Sequence, residues 1–247
     1  MRIAVLSDVH GNLLALEAVL ADLRVHAPDL VVNLGDHLSG PLEAAATAEL
    51  LISQRDWVHV RGNHDRQLIE LEPAAMGLSD RSAEKQLAAG HKVWLRSLAP
   101  TAVVADDVLL CHGTPRRDFD YLLEDVSATG VSLASREKIR SDVGAAAGTI
   151  LCGHSHVPRL VRLEDGTLVL NPGSVGLPAY HDSDHRFPHV IEVGSPHARY
   201  ALIDRAGRGW NATFRTVDYD WDAAARAASK GNRPDWAHAL STGYALR

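Results

Sequence analysis

Five short apolar segments of the chain each end in a cluster rich in Asp, Asn or His. The clusters are Asp8-Val9-His10, Gly35-Asp36, Gly62-Asn63-His64-Asp65, Cys111-His112-Gly113 and Gly153-His154-Ser155-His156. A lone histidine at a strand end is more often a hydrogen-bonded core residue than a ligand. Five clusters together indicate more, because the strand ends of one parallel sheet open onto the same crevice. The spacing therefore predicts one polar site assembled from distant parts of the chain.

The first part of the chain alternates predicted strands with predicted helices. The segments 2–6, 30–34 and 57–60 have the apolar and β-branched character of short buried strands. Between and after them, apolar residues recur at helical spacing, which predicts helices over 13–23, 44–52 and 79–98. Alternation of this kind is typical of an α/β fold with a largely parallel sheet and functional loops at the carboxyl ends of its strands.

The second part of the chain favours short strands. Those over 108–111 and 149–152 precede His112 and Gly153-His154, and further strands are predicted within 160–216. An alanine-rich helix is predicted over 222–229, and the tail after Gly231 is expected to be loosely held. The chain has 247 residues and shows neither a linker nor a repeat, so we expect a single domain over residues 1–247.

Composition excludes several classes of protein. Hydrophobic residues make up 46% of the chain and charged residues 23%, which excludes disordered, collagenous and coiled-coil chains. A net charge of −6 gives no electrostatic reason for stable nucleic-acid binding. The absence of a long apolar run or a signal peptide leads us to expect a cytoplasmic protein without a membrane partner. Cys111 and Cys152 are then expected to be buried and reduced, and a homodimer is the base-rate expectation.

The residue types in the clusters suit metal ions. Mixed oxygen and imidazole ligands favour Mn²⁺, Fe or Zn²⁺ over Ca²⁺. Alternate residues of an extended segment project to the same side, so Asp8 and His10 can reach one ion, as can His154 and His156. A carboxylate between the clusters, for which Asp36 is the candidate, would bridge two ions about 3.5 to 4 Å apart. We expect two divalent ions, with Mn²⁺ first and Fe, Zn²⁺ or Ni²⁺ as alternatives.

The five clusters, in this order, resemble the calcineurin-like metallophosphoesterase superfamily, in particular its small bacterial phosphodiesterase branch. The resemblance extends from Asp8 to Gly176, since the segment Asn171-Pro172-Gly173-Ser174-Val175-Gly176 also matches that branch. It implies a four-layer α/β/β/α sandwich of two mixed sheets flanked by helices, with the metal site at the carboxyl ends of the strands. It also implies an enzyme whose substrate is a phosphate ester.

The resemblance assigns roles to individual residues of this sequence. One metal ion would be held by Asp8, His10, Asp36 and His156, and the other by Asp36, Asn63, His112 and His154. A hydroxide bridging the two ions would attack phosphorus in line. His64 would protonate the leaving oxygen as the general acid, and Asp65 would fix the orientation of His64.

For other residues near these clusters the sequence allows two interpretations each. His37 follows Asp36 and either contacts the substrate or is an exposed loop residue. Arg116 and Arg117 either clamp a substrate phosphate through their guanidinium groups or form a solvated charged loop. The segment 180–187, with His181, His185 and Arg186, is either a lid over the crevice or a surface loop. The glycine-rich segment 171–176 either presents N–H groups to phosphate or makes a tight turn.

These residues lead to three hypotheses for the function, and a phosphodiesterase is the first. A phosphomonoesterase acting on a nucleotide or a phosphoprotein is the second, because the metals do not choose between ester classes. A metal-stabilised interaction module without activity is the third, and only the late residues Trp210, Trp221 and Trp236 favour it as an apolar surface.

Overall fold

The structure is a computed structural model that describes residues 1–144, 148–183, 185–207 and 209–247. Its strands, in chain order, are β1 (Arg2–Leu6), β2 (Leu30–Asn33), β3 (Val58–His59), β4 (Thr101–Val104), β5 (Val108–Cys111), β6 (Glu124–Ser127), β7 (Gly130–Leu133), β8 (Thr149–Leu151), β9 (Arg159–Arg162), β10 (Leu168–Asn171), β11 (Ala179–Asp182), β12 (His189–Glu192), β13 (Ala198–Ala206) and β14 (Gly209–Val217). Its α-helices are α1 (Leu13–His26), α2 (Ala44–Ser53), α3 (Asn63–Glu70), α4 (Leu78–Glu84), α5 (Ala89–Ser97), α6 (Arg136–Val143), α7 (Trp221–Lys230) and α8 (Pro234–Thr242).

Two five-stranded mixed sheets form the centre of the fold. The first has the order β14-β13-β1-β2-β3, and the second has the order β4-β5-β8-β10-β9. In the first sheet β1, β2 and β3 are parallel, whereas β13 and β14 pair antiparallel. In the second sheet β5, β8 and β10 are parallel, and the edge strands β4 and β9 are antiparallel. The clusters therefore follow parallel strands of both sheets.

Alternating side chains divide the apolar core into layers. Ile3 and Val5 of β1 pack between the two sheets, whereas Ala4 and Leu6 pack against the helices on the outer face. Successive side chains of a strand point to opposite faces of the sheet, so a strand buried on both faces alternates between two packing layers. Helices α1 and α2 cover the first sheet, and Ile139 of α6 packs on the outer face of the second sheet. The predicted α/β/β/α sandwich is thereby confirmed.

The predicted helix over 79–98 is wrong in one respect, because the segment forms two helices, α4 and α5. Ala88 adopts an extended conformation, and its N–H donates to Nδ1 of His91 at 3.2 Å. Gln86 donates from its side chain to the carbonyl oxygen of Leu42 at 2.8 Å. The N–H groups of Gln86 and Leu87 donate to the carbonyl oxygens of Ala83 and Glu84, three residues earlier, so the α-helical pattern ends there, and the Ala88 bond caps the start of α5.

The expectation of a loosely held tail is also wrong. After Gly231 the chain forms α8, whose Trp236 and Leu240 are buried against Leu42, Leu177 and the alanines of α7. A short amphipathic helix that follows a polar segment gives a weak sequence signal, and here the apolar face of α7 supplies its packing partner.

Two further expectations concern membranes and cysteines. Within the described residues, no helix has the length and apolar character needed to cross a membrane. Cys111 and Cys152 are both buried and free, as the sequence predicted.

Candidate metal centre

A cleft of about 1200 Å³ lies at the carboxyl ends of the parallel strands. Asp8, Asp36, His112 and His154 follow β1, β2, β5 and β8, and Asn63 begins α3 after β3. The strand-end clusters therefore meet across the gap between the sheets. His10, Asp36, Asn63, His154 and His156 line the cleft, together with His64.

Two groups of side chains bring their ligand atoms together. One group consists of Asp8, His10 and His156, and the other of Asp36, His112 and His154. Within each group the ligand atoms all lie within 4.8 Å of one another. In the first group, Nε2 of His10 and Nε2 of His156 are 3.1 Å apart.

Asp36 faces both groups. Its Oδ2 atom is 3.2 Å from Nε2 of His112 and 4.0 Å from Nε2 of His10. Asn63, predicted as a further ligand, directs its Oδ1 atom to Nε2 of His112 at 3.0 Å. A carboxylate between two sets of imidazoles is the arrangement expected of a residue shared by two ions.

The second ring nitrogen of each histidine in these groups is held by a backbone carbonyl oxygen. Nδ1 of His10, His112 and His156 lies 2.8, 2.8 and 2.7 Å from the carbonyl oxygens of Ser39, Leu34 and Leu177, respectively. Nε2 of His154 lies 3.0 Å from the carbonyl oxygen of Phe119. A carbonyl oxygen only accepts, so these nitrogens carry the hydrogen. A neutral ring then has its lone pair on the opposite nitrogen, as metal-ligating histidines do.

Five of the proposed ligands have left-handed backbone conformations, which residues other than glycine rarely adopt. The φ angles of Asp8, His10, Asp36, His154 and His156 lie between 52° and 69°. A left-handed conformation at a residue other than glycine costs of order 1 to 3 kcal/mol and is found where function requires it. The left-handed turns aim these side chains into the cleft from the strand ends.

The electrostatics of the site suit cations. Burial raises the pKa of Asp8, but His156 and His112 outweigh burial and lower it to about 2. Burial and His156 lower the pKa of His10 to about 4, and burial and His112 lower the pKa of His154 to about 4. These two imidazoles are therefore neutral at pH 7, with lone pairs available to a metal.

Two further observations show that the site favours positive charge. Oδ1 of Asp8 is buried and has no hydrogen-bond partner within the described residues. Burial lowers the pKa of His112, yet Asp36 and Asp8 outweigh burial and raise it to about 10. The carboxylates thus concentrate negative charge that a proton or a metal ion can balance. The residues present therefore fit divalent cations.

Asp65 fixes the loops that carry the ligands. Its Oδ2 atom accepts hydrogen bonds from the backbone N–H of Asp36 and of Gly62, both at 2.9 Å. The same oxygen lies 2.7 Å from Nδ1 of His37, and Oδ1 accepts from the N–H of His37 at 3.0 Å. Asp65 does not bond to His64, so the prediction that it orients His64 is wrong. Its carboxylate faces the loop after β2 and the start of α3 instead.

His64 is oriented by a residue that the sequence analysis missed. Nδ1 of His64 lies 2.9 Å from Oδ1 of Asp80, which is buried on α4. Burial lowers the pKa of His64, but Asp36 and Asp80 outweigh burial and raise it to about 9. The side chain of His64 is 33% exposed and lines the cleft, so its ring can face a substrate there. Asp80 lies 16 residues away in sequence on another helix, so no local motif points to it.

The structure corrects the predicted substrate contacts of three residues. The side chain of His37 is fully buried, with its Nε2 atom 3.2 Å from Nδ1 of His59, so it does not reach the cleft. Arg116 donates to the carbonyl oxygen of Ser141 at 2.6 Å. Arg117 pairs with Asp120 at 3.2 Å. None of the three side chains lines the cleft, because each has a partner elsewhere.

The structure places the two remaining segments. His181, on β11, and His185 and Arg186, between β11 and β12, line the cleft; residue 184 lies outside the described residues, and the role of this segment as a lid stays a prediction. The 171–176 segment is a tight turn that holds the Asp8 loop. Ser174 Oγ and the N–H of Gly176 both donate to the carbonyl oxygen of Asp8, at 2.8 and 2.9 Å.

Two tyrosines for which the sequence carries no signal, Tyr121 (buried) and Tyr180 (half-buried), pack against the ligand histidines. The ring of Tyr121 lies 4.9 Å from the ring of His154, and the ring of Tyr180 lies 4.8 Å from that of His156. Their hydroxyl groups are 2.7 Å apart. The two metal-binding groups therefore share one hydrogen-bonded packing layer.

Comparisons with known proteins agree with this geometry. Residues 1–191 match the family model of the calcineurin-like phosphoesterase superfamily domain. An uncharacterised protein of Methanocaldococcus jannaschii is 26% identical over 250 aligned residues, which cover 95% of this chain and 94% of the relative.

Two solved structures cover nearly the whole chain. The crystal structure of a metallophosphoesterase from Sphaerobacter thermophilus has a TM-score of 0.74 and 25% identity, covering 98% of this chain and 99% of the other. A hypothetical protein from Pyrococcus horikoshii has a TM-score of 0.72 and 18% identity, covering 99% of each chain. The family match, the shared fold and the two metal-binding groups at the strand ends lead to one assignment. The chain belongs to the calcineurin-like phosphoesterase superfamily.

Proposed function

We propose that the chain is a phosphodiesterase that works with two divalent metal ions. The observation that carries this proposal is the position of the Asp36 carboxylate between two groups of imidazoles whose outer nitrogens are held by carbonyl oxygens. One ion would be held by Asp8, His10, Asp36 and His156, and the other by Asp36, Asn63, His112 and His154. Such a pair lowers the pKa of water and neutralises charge on phosphate oxygens.

His64 supplies the proton in this proposal. As the oxygen of a water-derived hydroxide forms a bond to phosphorus, the bond between phosphorus and the leaving oxygen breaks, and the imidazolium of His64 gives its Nε2 proton to that oxygen. Asp80 holds Nδ1 at 2.9 Å, which leaves Nε2 as the nitrogen that can face the substrate. Against burial, Asp36 and Asp80 raise the pKa of His64; Asp80 is not a proposed metal ligand and would continue to favour the imidazolium with metal ions bound.

The size of the cleft permits a diester. Its volume of about 1200 Å³ exceeds the range of roughly 300 to 1000 Å³ that holds a drug-sized ligand. Organic groups on both sides of a phosphate therefore have room. The interaction-module hypothesis loses most of its support, because Trp210 and Trp236 are buried and Trp221 is half-buried.

A comparison of two substrates tests the proposal. The protein is stripped with a chelator and reloaded with Mn²⁺, and the hydrolysis of bis-p-nitrophenyl phosphate is compared with that of p-nitrophenyl phosphate. We expect metal-dependent hydrolysis with a higher kcat/KM for the diester. Preference for the monoester would favour a phosphomonoesterase, and metal-independent rates or none would contradict the proposal.

A further inference from the structure

Three large apolar side chains are exposed within the cleft. Leu78, Phe119 and Leu246 are 61%, 49% and 45% exposed, respectively, and all three line the cleft. Apolar residues scattered singly over a surface need no explanation. These three residues come from separate parts of the chain, and all of them line the cleft into which the metal-binding groups open. The cleft therefore offers apolar contacts to a part of the substrate other than the phosphate.

Phe119 has the closest connection to the metal-binding groups. Its carbonyl oxygen lies 3.0 Å from Nε2 of His154. The ring of Tyr121, two residues further along, lies 4.9 Å from the ring of His154. The backbone at Phe119 is thus fixed to a proposed ligand, which sets the distance between its ring and a phosphate at the centre.

One face of the Phe119 ring is already occupied. The guanidinium carbon of Arg117 lies 4.5 Å from the ring centroid, and the same guanidinium group pairs with Asp120 at 3.2 Å. This contact holds the ring from one side. Phe119 is about half exposed and lines the cleft, so part of its aromatic ring is accessible to a ligand bound there.

We infer that Phe119 is a stacking platform for the aromatic base of the substrate, so that the chain acts on a nucleotide-class phosphodiester. This inference rests on the proposed function. A flat ring face favours a planar partner, and stacking of a base on an aromatic side chain tolerates any base. Arg81 and Arg186 also line the cleft, where either guanidinium group can pair with a phosphate of such a ligand.

A pair of ligands that differ only in the base tests this inference. The affinities of the Mn²⁺-loaded protein for adenosine 5′-monophosphate and ribose 5-phosphate are measured by calorimetry. We expect the nucleotide to bind about 10-fold more tightly, in line with base stacking on one aromatic side chain. Phe119→Ala should reduce this ratio to about 1, whereas Phe119→Trp should preserve it.

A matched control is Phe214→Ala. Phe214 is a similarly exposed phenylalanine, at 41%, on β14 outside the cleft, and its replacement should leave the ratio unchanged. An equal ratio in the wild type and Phe119→Ala would overturn the inference, as would equal binding of the two ligands by the wild type. Hydrolysis of bis-p-nitrophenyl phosphate by the same preparations reports separately on the proposed function.

Discussion

Replacement of Asp65 by asparagine tests how the loops of the site are held. The Asp65 carboxylate is fully buried and faces only donors. Its Oδ2 atom serves the N–H groups of Asp36 and Gly62 and the ring of His37, and its Oδ1 atom serves the N–H of His37. The amide of Asp65→Asn keeps one oxygen and places an NH₂ group against at least one of these donors.

The cost follows from the number of bonds lost. If the NH₂ group replaces Oδ1, one buried N–H loses its acceptor, which costs about 1 to 3 kcal/mol. The remaining bonds lose the charge of the carboxylate, and a hydrogen bond to a charged group contributes about 1.5 to 3 kcal/mol. The opposite orientation removes the acceptor of three donors. We therefore expect Asp65→Asn to lower the free energy of unfolding by about 3 kcal/mol.

Urea unfolding at pH 7 in the presence of a chelator measures this loss, because metal binding then adds nothing to stability. Asp120→Asn is the control, since Asp120 is 40% exposed and its replacement should change stability by less than about 0.5 kcal/mol. A loss below about 1 kcal/mol for Asp65→Asn would refute the reasoning.

Three further predictions concern other acidic residues. Asp80→Asn should lower kcat about 10²-fold for an alkyl leaving group and little for p-nitrophenol, which leaves without a proton; equal losses would contradict the positioning role. Asp36→Asn should reduce the bound metal below two equivalents by elemental analysis, and two retained equivalents would exclude its bridging role. Burial raises the pKa of Asp22, but Tyr200 and Arg215 outweigh burial and lower it. The stability that Asp22 contributes is then complete above its ordinary pKa of about 3.9 and is lost as the pH falls through the lowered value. The difference in Tm between the wild type and Asp22→Asn should therefore shrink between pH 7 and pH 3; a difference independent of pH would contradict it.

The strand-end clusters could be predicted from the sequence because they depend on local rules. Short apolar runs are strands, parallel strands end at one edge, and the residue after each strand falls into the same cleft. These rules give Asp8, Asp36, His112 and His154 their places in two groups. The order of the clusters along the chain then identifies the fold.

Adjacency in sequence led to the wrong roles for two residues, Asp65 and His37. Asp65 and His37 each follow a residue of the site, yet both turn into the protein and bond to one another. Asp80 orients His64 from α4, and no spacing rule connects the two. The sequence signal for Asp65 was its place three residues after Gly62, where a carboxylate caps the first turn of α3.

The walls of the cleft could not be predicted because they come from loops and from the end of the chain. Phe119 lies in a loop after β5, and Trp236 lies on α8, where its ring is 6.0 Å from the ring of His10. Such contacts depend on tertiary packing that periodicity does not encode.

The most direct test of the account is a calorimetric titration of Mn²⁺ into the chelator-stripped protein, with hydrolysis of bis-p-nitrophenyl phosphate measured at each point. The two groups of ligand atoms, joined by Asp36, predict two bound equivalents and hydrolysis that reaches its maximum only when the second is bound. Full hydrolysis with one equivalent, or a rate independent of Mn²⁺, would contradict the account.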